Sequence, residues 1–437
     1  MGHLTGKDIY RSLGKKIDGL TVRTPWNRTF YAILSELYSE DEADVVTKMP
    51  DALSSFAVVK ESTKCESDRL TKILEGLCSK GLVIDLWVQG EFQYMPSPLI
   101  VGIFELTMMR TGNNPDKKKM AYLFHEYLQT GDHFYSANFS HGEKISLLRA
   151  LPHEKAIRSK EYVEVLDYEK AAAIVDGHKK FSIGVCSCRH EKSHIGEKRC
   201  DTPLETCSSF GRAADYLIRH HFAREVSRSE MMANMERSRE LGLVLTADNV
   251  QKNVAFICHC CKCCCNALMG INKLGYTNAI VTSTFISGTD ERLCVGCGKC
   301  AEACPVGAIA MVPSDDPKSK RKKIKKTDSS LCLGCGVCAL QCKTRALSLV
   351  KREQRVLHPE TTFERVILQC LERGTLQNQM FDNPQRVTQK FMRTFLGAAL
   401  NLTPVKKALL SDTLRSRFLA SMKDAIRRKG KGWALDM

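Results

Sequence analysis

Two runs of cysteine in the second half of the chain constrain its fold more than any other feature. Each run has the form Cys-x2-Cys-x2-Cys-x3-Cys, and the first is followed by Pro305. The runs consist of Cys294, Cys297, Cys300 and Cys304, and of Cys332, Cys335, Cys338 and Cys342. Two-residue spacers let three thiolates wrap one face of a metal centre without straining the backbone, so the fourth ligand must come from elsewhere.

Glycines alternate with these cysteines. They are Gly296, Gly298, Gly334 and Gly336. A glycine between two ligands allows the backbone to turn tightly and lets its N–H groups point toward a bound centre. The glycines therefore support metal ligation by both runs.

The spacing resembles that of bacterial ferredoxins, which carry two 4Fe-4S clusters. The resemblance implies that the last cysteine of each run ligates the other cluster. One ligand set would be Cys294, Cys297, Cys300 and Cys342, and the other Cys332, Cys335, Cys338 and Cys304. A pair of zinc sites is the alternative, but the third and fourth cysteines match the ferredoxin pattern better than a zinc ribbon.

The second run departs from the ferredoxin pattern at one position. Lys343 follows Cys342 where proline is usual. This change leaves ligation intact, loosens the turn and places a cation near a cluster, where it would favour the reduced state.

Length, cysteine content and charge indicate the number of domains, the cellular compartment and the kind of partner. The chain has 437 residues, 21 cysteines and a net charge of +16. A chain of this size divides into several domains, and cysteines in metal-ligand spacing indicate a reducing compartment rather than a disulfide scaffold. With no apolar run long enough to span a bilayer, we predict a cytoplasmic protein. Its basic charge predicts affinity for something acidic, which could be nucleic acid, a membrane surface or an acidic redox partner.

The N-terminal part, residues 1–112, has the pattern of a winged helix. Apolar residues recur at helical spacing near Phe30 and near Leu70, and the second helix is expected to end at Gly81. A strand pair over 82–88 and 92–95 would form the wing. The second helix is close to charge balance, so a structural or protein-docking role is favoured over DNA reading. Residues 99–109 are expected to form one buried helix.

A second group of cysteines lies in residues 113–290, which we expect to form a largely helical domain. Residues 113–180 are expected to be mostly helical and 186–207 rich in loops. Helices are predicted at 210–222 and from a capping box of Ser227 and Glu230 to near Gly242, and a strand at 255–257. Two segments carry the cysteines, 186–207 and 258–265. As metal ligands we predict Cys186, Cys188, Cys200 and Cys207, to which Cys258, Cys260, Cys261 and Cys264 are added.

Three interpretations of these upstream cysteines stay open. They could hold one or more further iron–sulfur clusters, a structural zinc ion beside redox-active thiols, or in part be small buried apolar residues. Adjacent cysteines in a strand face opposite ways, so the 258–265 segment cannot serve one metal without a sharp turn. Arg189 and His190 could lower thiol pKa values there.

Two basic regions follow. Between 317 and 326 lies a run containing Lys318, Lys320, Arg321, Lys322, Lys323, Lys325 and Lys326. This run predicts a solvated loop that steers an acidic redox partner toward the clusters. Residues 351–437 are predicted to be helical and to pack on the other domains, with peripheral membrane contact as the alternative.

The whole arrangement resembles large iron–sulfur proteins of anaerobic and sulfate-reducing bacteria, described as 4Fe-4S dicluster-domain or ferredoxin-like proteins. The matching parts are Cys186 to Arg189, Phe256 to Cys265 and the two cysteine runs. That resemblance implies clusters but no defined reaction.

The predicted fold is an α+β multidomain chain. It would comprise a winged-helix-like domain at 1–112, a helical Cys-rich metal or cluster domain at 113–290, a two-cluster ferredoxin-like domain at 291–350 and a helical C-terminal segment at 351–437. The predicted function is electron relay between a partner oxidoreductase and the Cys-rich site. The alternatives are an iron–sulfur oxidoreductase with a substrate site in 186–265, and a redox-sensing DNA-binding regulator.

Overall fold

The computed structural model describes residues 8–112, 115–158, 165–314, 321–353, 356 and 358–437. Of the predicted basic run, Lys318 and Lys320 lie outside these ranges. The described part contains an N-terminal helical unit, a large mixed sheet, a ferredoxin-like unit and a group of C-terminal helices.

The N-terminal unit consists of short helices followed by a hairpin. Its elements are α1 Ile9–Asp18, α2 Arg28–Leu37, α3 Glu40–Lys48, β1 Ser54–Ser55, α4 Phe56–Thr63, α5 Ser67–Lys80, β2 Val83–Val88 and β3 Glu91–Pro96. The predicted hairpin is confirmed, because β2 pairs with β3 in antiparallel register. The predicted end of the helix is also confirmed, since Gly81 adopts the left-handed conformation at φ 78°. The winged-helix assignment itself stays a prediction.

The expectation of one buried helix over 99–109 was wrong. Leu99–Ile103 forms an irregular turn whose backbone is non-helical at Ile100, Val101 and Gly102, and α6 begins only at Phe104 and ends at Met109. Within the turn, Val101 has φ 54°, a left-handed conformation that is unfavourable for a β-branched residue. The prediction that this segment is largely buried is confirmed, but the irregular turn before the helix was not predicted.

A mixed sheet organises the middle of the chain. Its elements are α7 Lys117–Gln129, α8 His133–Phe139, β4 Leu148–Leu151, α9 Ala171–Asp176, β5 Phe181–Val185, α10 Ser187–His194, β6 Glu205–Phe210, α11 Gly211–Arg219, β7 Ala223–Glu225, α12 Arg228–Glu240, β8 Val244–Asp248, β9 Phe256–Cys260, α13 Asn266–Leu274 and β10 Ile280–Val281. Among the described residues, seven strands pair in the order β10-β4-β8-β9-β6-β5-β7. Only the β10–β4 pair of these is parallel.

This sheet corrects the prediction of a helical domain at 113–290. The strands are short, and β8 is buried along its whole length, so its sequence lacks the alternation that marks a half-exposed strand. Around the sheet, several predicted helices are confirmed. The capping box of Ser227 and Glu230 begins α12, which ends just before Gly242.

The ferredoxin-like unit is built from two similar halves. Its elements are β11 Phe285–Thr289, α14 Lys299–Ala303, β12 Ile309–Pro313, β13 Lys323–Thr327, α15 Val337–Leu340 and β14 Leu347–Lys351. Strand β11 pairs with β14, and β12 pairs with β13. Tight turns at the inter-ligand glycines are confirmed, because all four have φ between 67° and 85°. A Cβ atom on Gly334 would lie 2.2 Å from the carbonyl oxygen of Phe285, so no larger residue fits there.

The C-terminal segment is helical, as predicted. It comprises α16 Thr362–Arg373, α17 Leu376–Met380, α18 Val387–Leu400, α19 Thr403–Leu410 and α20 Asp412–Arg428. Arg365 on α16 lies 3.1 Å from the carboxylate of Asp248 at the end of β8, and Arg393 on α18 pairs with buried Asp51 of the N-terminal unit. These helices thus connect the sheet to the N-terminal unit. None of the described helices has the length and apolarity needed to cross a membrane.

Contacts from the sheet domain also fix the N-terminal hairpin. Asp85 on β2 forms an ion pair with Arg219 at 2.8 Å and a hydrogen bond with Nε2 of His220 at 2.7 Å, both at the end of α11. Tyr216 donates from its hydroxyl to the carbonyl oxygen of Val83. One face of the hairpin is therefore covered by the sheet domain.

Candidate metal centres

Four cysteines of the ferredoxin-like unit surround a small buried cavity. Its wall includes Cys304, Cys332, Cys335 and Cys338, all of which are buried. The backbone N–H of Ala308 donates to Sγ of Cys304 at 3.2 Å. The structure thus brings together the same four thiols that the ferredoxin resemblance implies for one cluster, and we call them the buried set.

The other four ferredoxin cysteines lie closer to solvent. Cys297 is exposed, and its companions Cys294, Cys300 and Cys342 are half-buried. Leu293 and Val295, next to them, are 50% and 61% exposed. We call these four cysteines the surface set.

The upstream cysteines are divided by a turn that follows β9. Cys258 and Cys260 lie on one face of this strand, because side chains alternate along it. A tight turn then brings the N–H of Cys265 to the carbonyl oxygen of Cys261 at 3.2 Å. This is the sharp turn that the sequence required, and it separates the thiols into two groups.

The inner thiol group surrounds the start of α10 and α13. It consists of Cys186, Cys188, Cys207, Cys258, Cys260 and Cys265, each of which shifts the pKa of its neighbours in the group. Hydrogen bonds from Cys258 and Cys265 lower the pKa of Cys260 to about 6, whereas burial raises the pKa of Cys186 to about 12. The pKa values within the group are therefore shifted in opposite directions.

Two helix N-termini point toward the inner thiol group. Cys186 and Cys265 occupy the N-cap positions of α10 and α13. The partial positive charge at a helix N-terminus stabilises thiolates, which are the form that binds metals. Sequence position alone did not reveal this, because neither cysteine carries a recognised capping signature.

The outer thiol group is more compact. It consists of Cys200, Cys261, Cys263 and Cys264, whose four sulfur atoms all lie within 4.8 Å of one another. Sγ of Cys261 is 3.7 Å from that of Cys200 and 3.9 Å from that of Cys263. Sγ of Cys263 is 3.5 Å from that of Cys264. The thiol of Cys264 and the guanidinium of Arg189 lower the pKa of Cys261 to about 4.

Arg189 lies between the two thiol groups and is fully buried. Its guanidinium donates to the carbonyl oxygen of Pro203 and to the hydroxyl of Thr206, each at 2.7 Å, and to the carbonyl oxygen of His259. Its charge acts on Cys186 and Cys260 of the inner group and on Cys261 of the outer group. Arg189 is therefore a counter-ion that the inner and outer thiol groups share.

His190 has a different role from the one considered for it. Its Nδ1 bonds to the carbonyl oxygen of Met108 at 2.6 Å, and its Nε2 lies 3.0 Å from that of His194. These contacts connect α10 to α6. Both ring nitrogens of His190 are thus engaged with Met108 and His194 rather than with the thiols.

A cavity of about 630 Å³ reaches the inner thiol group. Its wall includes Cys186, Cys207 and Cys258 together with Val101 and Glu105. Glu105 accepts a hydrogen bond from the N–H of Gly102 at 3.1 Å, and burial raises its pKa to about 7. Strained residues such as Val101 are concentrated at functional sites in proteins.

The observed groups differ from the predicted sets of upstream ligands. Cys200 lies apart from Cys186, Cys188 and Cys207, and joins the turn after β9 instead. Cys263 and Cys265, which the prediction left out, belong to the outer and inner groups. The thiol group to which each of these cysteines belongs depends on the direction of its side chain at the turn. The spacing of cysteines in the sequence does not give that direction.

One apolar core joins the inner thiol group to the ferredoxin-like unit. It contains Cys260 and Cys265 of the inner group and all four cysteines of the buried set. Val244, Leu268 and Val337 pack among them.

Comparison with known families identifies only the ferredoxin-like unit. A family model described as a 4Fe-4S dicluster domain matches residues 293–346. No curated protein and no solved structure matches the chain. Residues 293–346 thus form an iron–sulfur ferredoxin-like module, and with the cysteine cluster of the sheet domain they indicate iron–sulfur electron transfer.

Proposed function

We propose that the protein carries electrons between a partner bound at the surface set and the inner thiol group, with the buried set between them. The observation that supports this most directly is the apolar core that contains both the buried set and Cys260 and Cys265. A relay requires a low-dielectric cover around its centres, and this core supplies it.

Solvent exposure supports this order of the sites. Cys297 of the surface set is exposed, whereas every cysteine of the buried set is buried. A partner can therefore approach the first site directly but reaches the second only through it. Bound by these cysteines, 4Fe-4S clusters would supply one-electron transfer at low potential.

The inner thiol group would hold a further iron–sulfur cluster. Thiolates select iron–sulfur centres or zinc over harder metals. The six sulfur atoms are more widely spread than those of the outer group, which suits a centre of several iron atoms. Two helix N-termini and the buried Arg189 provide the positive charge that such an anionic centre needs.

The surface around the first site suits an acidic redox partner. Leu293 and Val295 form an exposed apolar patch beside Cys294 and Cys297. The nearby strand β13 and its preceding residue present exposed Lys322, Lys323 and Lys326. An apolar centre with a charged rim is the usual arrangement at transient docking surfaces, and its charge sets the rate of association.

Iron and sulfide analysis of anaerobically purified protein tests the proposal. We expect more iron than two 4Fe-4S clusters account for, and we expect Cys258→Ser to remove only the excess. Cys370→Ser, which alters a buried cysteine of the C-terminal core that belongs to neither thiol group, is the matched control. Iron equal to two clusters in the unmodified protein would refute the third centre.

Reduction of a small substrate is the second candidate function. The cavity at the inner thiol group has the size of a small-molecule site, and strained Val101 lies in its wall. Leu217→Trp would fill the cavity from α11. If the protein is a reductase, this variant keeps its iron and its reduction by dithionite but stops oxidising reduced methyl viologen with small oxidants that the unmodified protein accepts.

The DNA-binding alternative receives less support. The wing of a winged helix normally reaches nucleic acid, but here Asp85 of the hairpin pairs with Arg219 and His220 of the sheet domain. On α5, Arg69 pairs with Asp41 at 2.9 Å rather than standing free for phosphate. Absence of duplex binding at physiological salt would exclude this function.

A further inference from the structure

The outer thiol group has the dimensions of a site for one metal ion. We propose that Cys200, Cys261, Cys263 and Cys264 bind a single tetrahedral Zn²⁺ ion, separate from every iron–sulfur centre of the protein. This site has a structural role, and it does not depend on the electron route proposed above.

The sulfur spacing carries the assignment. In zinc sites the Zn–S distance is about 2.3 Å, so the edge of a tetrahedron of thiolates is about 3.8 Å. Three sulfur pairs of the outer group are separated by 3.5, 3.7 and 3.9 Å. All four sulfur atoms lie within 4.8 Å of one another. A single ion therefore fits between them without rearrangement of the backbone.

The ferredoxin cysteines provide an internal standard for size. In a cubane each thiolate binds a different iron atom, so the sulfur atoms stand farther apart than around one ion. Among the residues that the structure describes, the eight ferredoxin cysteines form no group with sulfur atoms within 4.8 Å of one another, and neither does the inner thiol group. The outer group thus differs in size from sites that hold clusters.

The ligands come from two distant segments. Cys261, Cys263 and Cys264 belong to the turn after β9, whereas Cys200 lies in the connection between α10 and β6. Lys262 in the same turn donates to the carbonyl oxygen of Glu302 on α14, at 3.4 Å. An ion held here would fix the α10–β6 connection to the turn, and the turn to the ferredoxin-like unit.

Charge and access also suit such an ion. Four thiolates around Zn²⁺ leave two net negative charges, and the buried Arg189 guanidinium beside Cys261 offsets one of them. Cys200 and Cys263 are half-exposed, so an ion can reach the site from solvent. Four protein thiolates leave no open position for substrate, which is the pattern of structural rather than catalytic zinc.

Metal analysis of the full-length protein tests the assignment. We expect one zinc ion per chain in the unmodified protein. Cys263→Ser, at a half-exposed ligand, should lose this zinc while its iron and sulfide stay unchanged. Cys65→Ser, which changes an isolated half-buried cysteine of the N-terminal unit, should keep both metals.

Cobalt provides a second readout that does not require a variant. Replacing zinc by Co²⁺ in the unmodified protein should produce the visible bands of a tetrahedral Co²⁺ tetrathiolate, and these should be absent in Cys263→Ser. The absence of zinc from the unmodified protein, or the loss of iron instead of zinc in Cys263→Ser, would overturn the proposal. A deficit of iron with zinc intact would instead count against the proposed third cluster and leave this site standing.

Discussion

Lys325 donates a hydrogen bond from Nζ to the hydroxyl of Ser287 at 2.8 Å, and that hydroxyl lies 3.3 Å from Sγ of Cys338. Nζ also donates to the carbonyl oxygen of Ser287 and to the hydroxyl of Thr289. The ammonium group is thus fixed between the halves of the ferredoxin-like unit, where it acts on cysteines of both the surface and buried sets.

Removing this charge should lower the reduction potentials of the ferredoxin clusters. A nearby cation stabilises the reduced, more negative state, and one half-buried charge contributes on the order of 1 kcal/mol, or about 45 mV for one electron. We expect Lys325→Gln to shift at least one potential downward by this amount in a redox titration followed by EPR. Lys322→Gln, on the same hairpin but exposed, should change it little. An unchanged potential in Lys325→Gln would contradict the role given to this residue.

The buried carboxylate of Asp51 should be essential for stability. It lies 2.6 Å from Nζ of Lys16 and also pairs with Arg393 of α18. Removing one partner of a buried ion pair leaves the other charges uncompensated, which costs about 3 to 5 kcal/mol. We expect Asp51→Ala to lower the free energy of unfolding by this amount in urea denaturation. Asp176→Ala, which breaks an exposed pair with Arg228, should lower it by less than about 1 kcal/mol. If Asp51→Ala and Asp176→Ala lowered the free energy of unfolding equally, the proposed importance of the buried carboxylate would be wrong.

His358 should make the stability depend on pH. Its Nδ1 donates to the side-chain oxygen of Asn249 at 2.7 Å, while its Nε2 is buried without a hydrogen-bond partner in the described structure. Burial lowers its pKa from 6.5 to about 3. The unfolded chain therefore binds a proton first as the pH falls, and stability present above pH 6.5 is lost below it.

The expected loss between pH 8 and pH 5 is about 2 kcal/mol. Unfolding curves at several pH values would measure it, and His358→Gln should flatten the dependence over this range. His141→Gln, which changes an exposed histidine, is the control. It should keep the pH dependence of the unmodified protein, including any part that comes from loss of clusters in acid. A steep dependence that persists in His358→Gln would assign the effect to other groups.

Reversing the basic surface should slow reduction by an acidic partner. Lys322, Lys323 and Lys326 are exposed close to the surface set. Changing all three to Glu should reduce the association rate with an acidic flavodoxin at low ionic strength by about tenfold or more, and added salt should reduce the difference. Stopped-flow measurements with matched protein concentrations would show this. A rate independent of both the changes and the salt would exclude docking at this surface.

Parts of the structure that depend on local sequence were predicted well. The hairpin after α5, the capping box at Ser227 and the turns at Gly334 and Gly336 follow from residues within a few positions of one another. Local chemistry determines such features before the chain has any tertiary contacts. The sheet in residues 113–290 was missed, because strands such as β8 are buried and have no alternating pattern.

The sequence by itself determined the ferredoxin-like unit, since each of its cysteine runs carries its own spacing and its own glycines. Only the tertiary structure decided how the upstream cysteines divide. The turn after β9 sends Cys260 and Cys265 into the core shared with the ferredoxin-like unit, and sends Cys261 and Cys263 toward Cys200. Cys200 and Cys261 are far apart in the chain, and their 3.7 Å separation exists because strand pairing and packing bring their segments together. Short spacings encode a metal site directly, whereas a site assembled from distant segments is fixed by the fold that positions them.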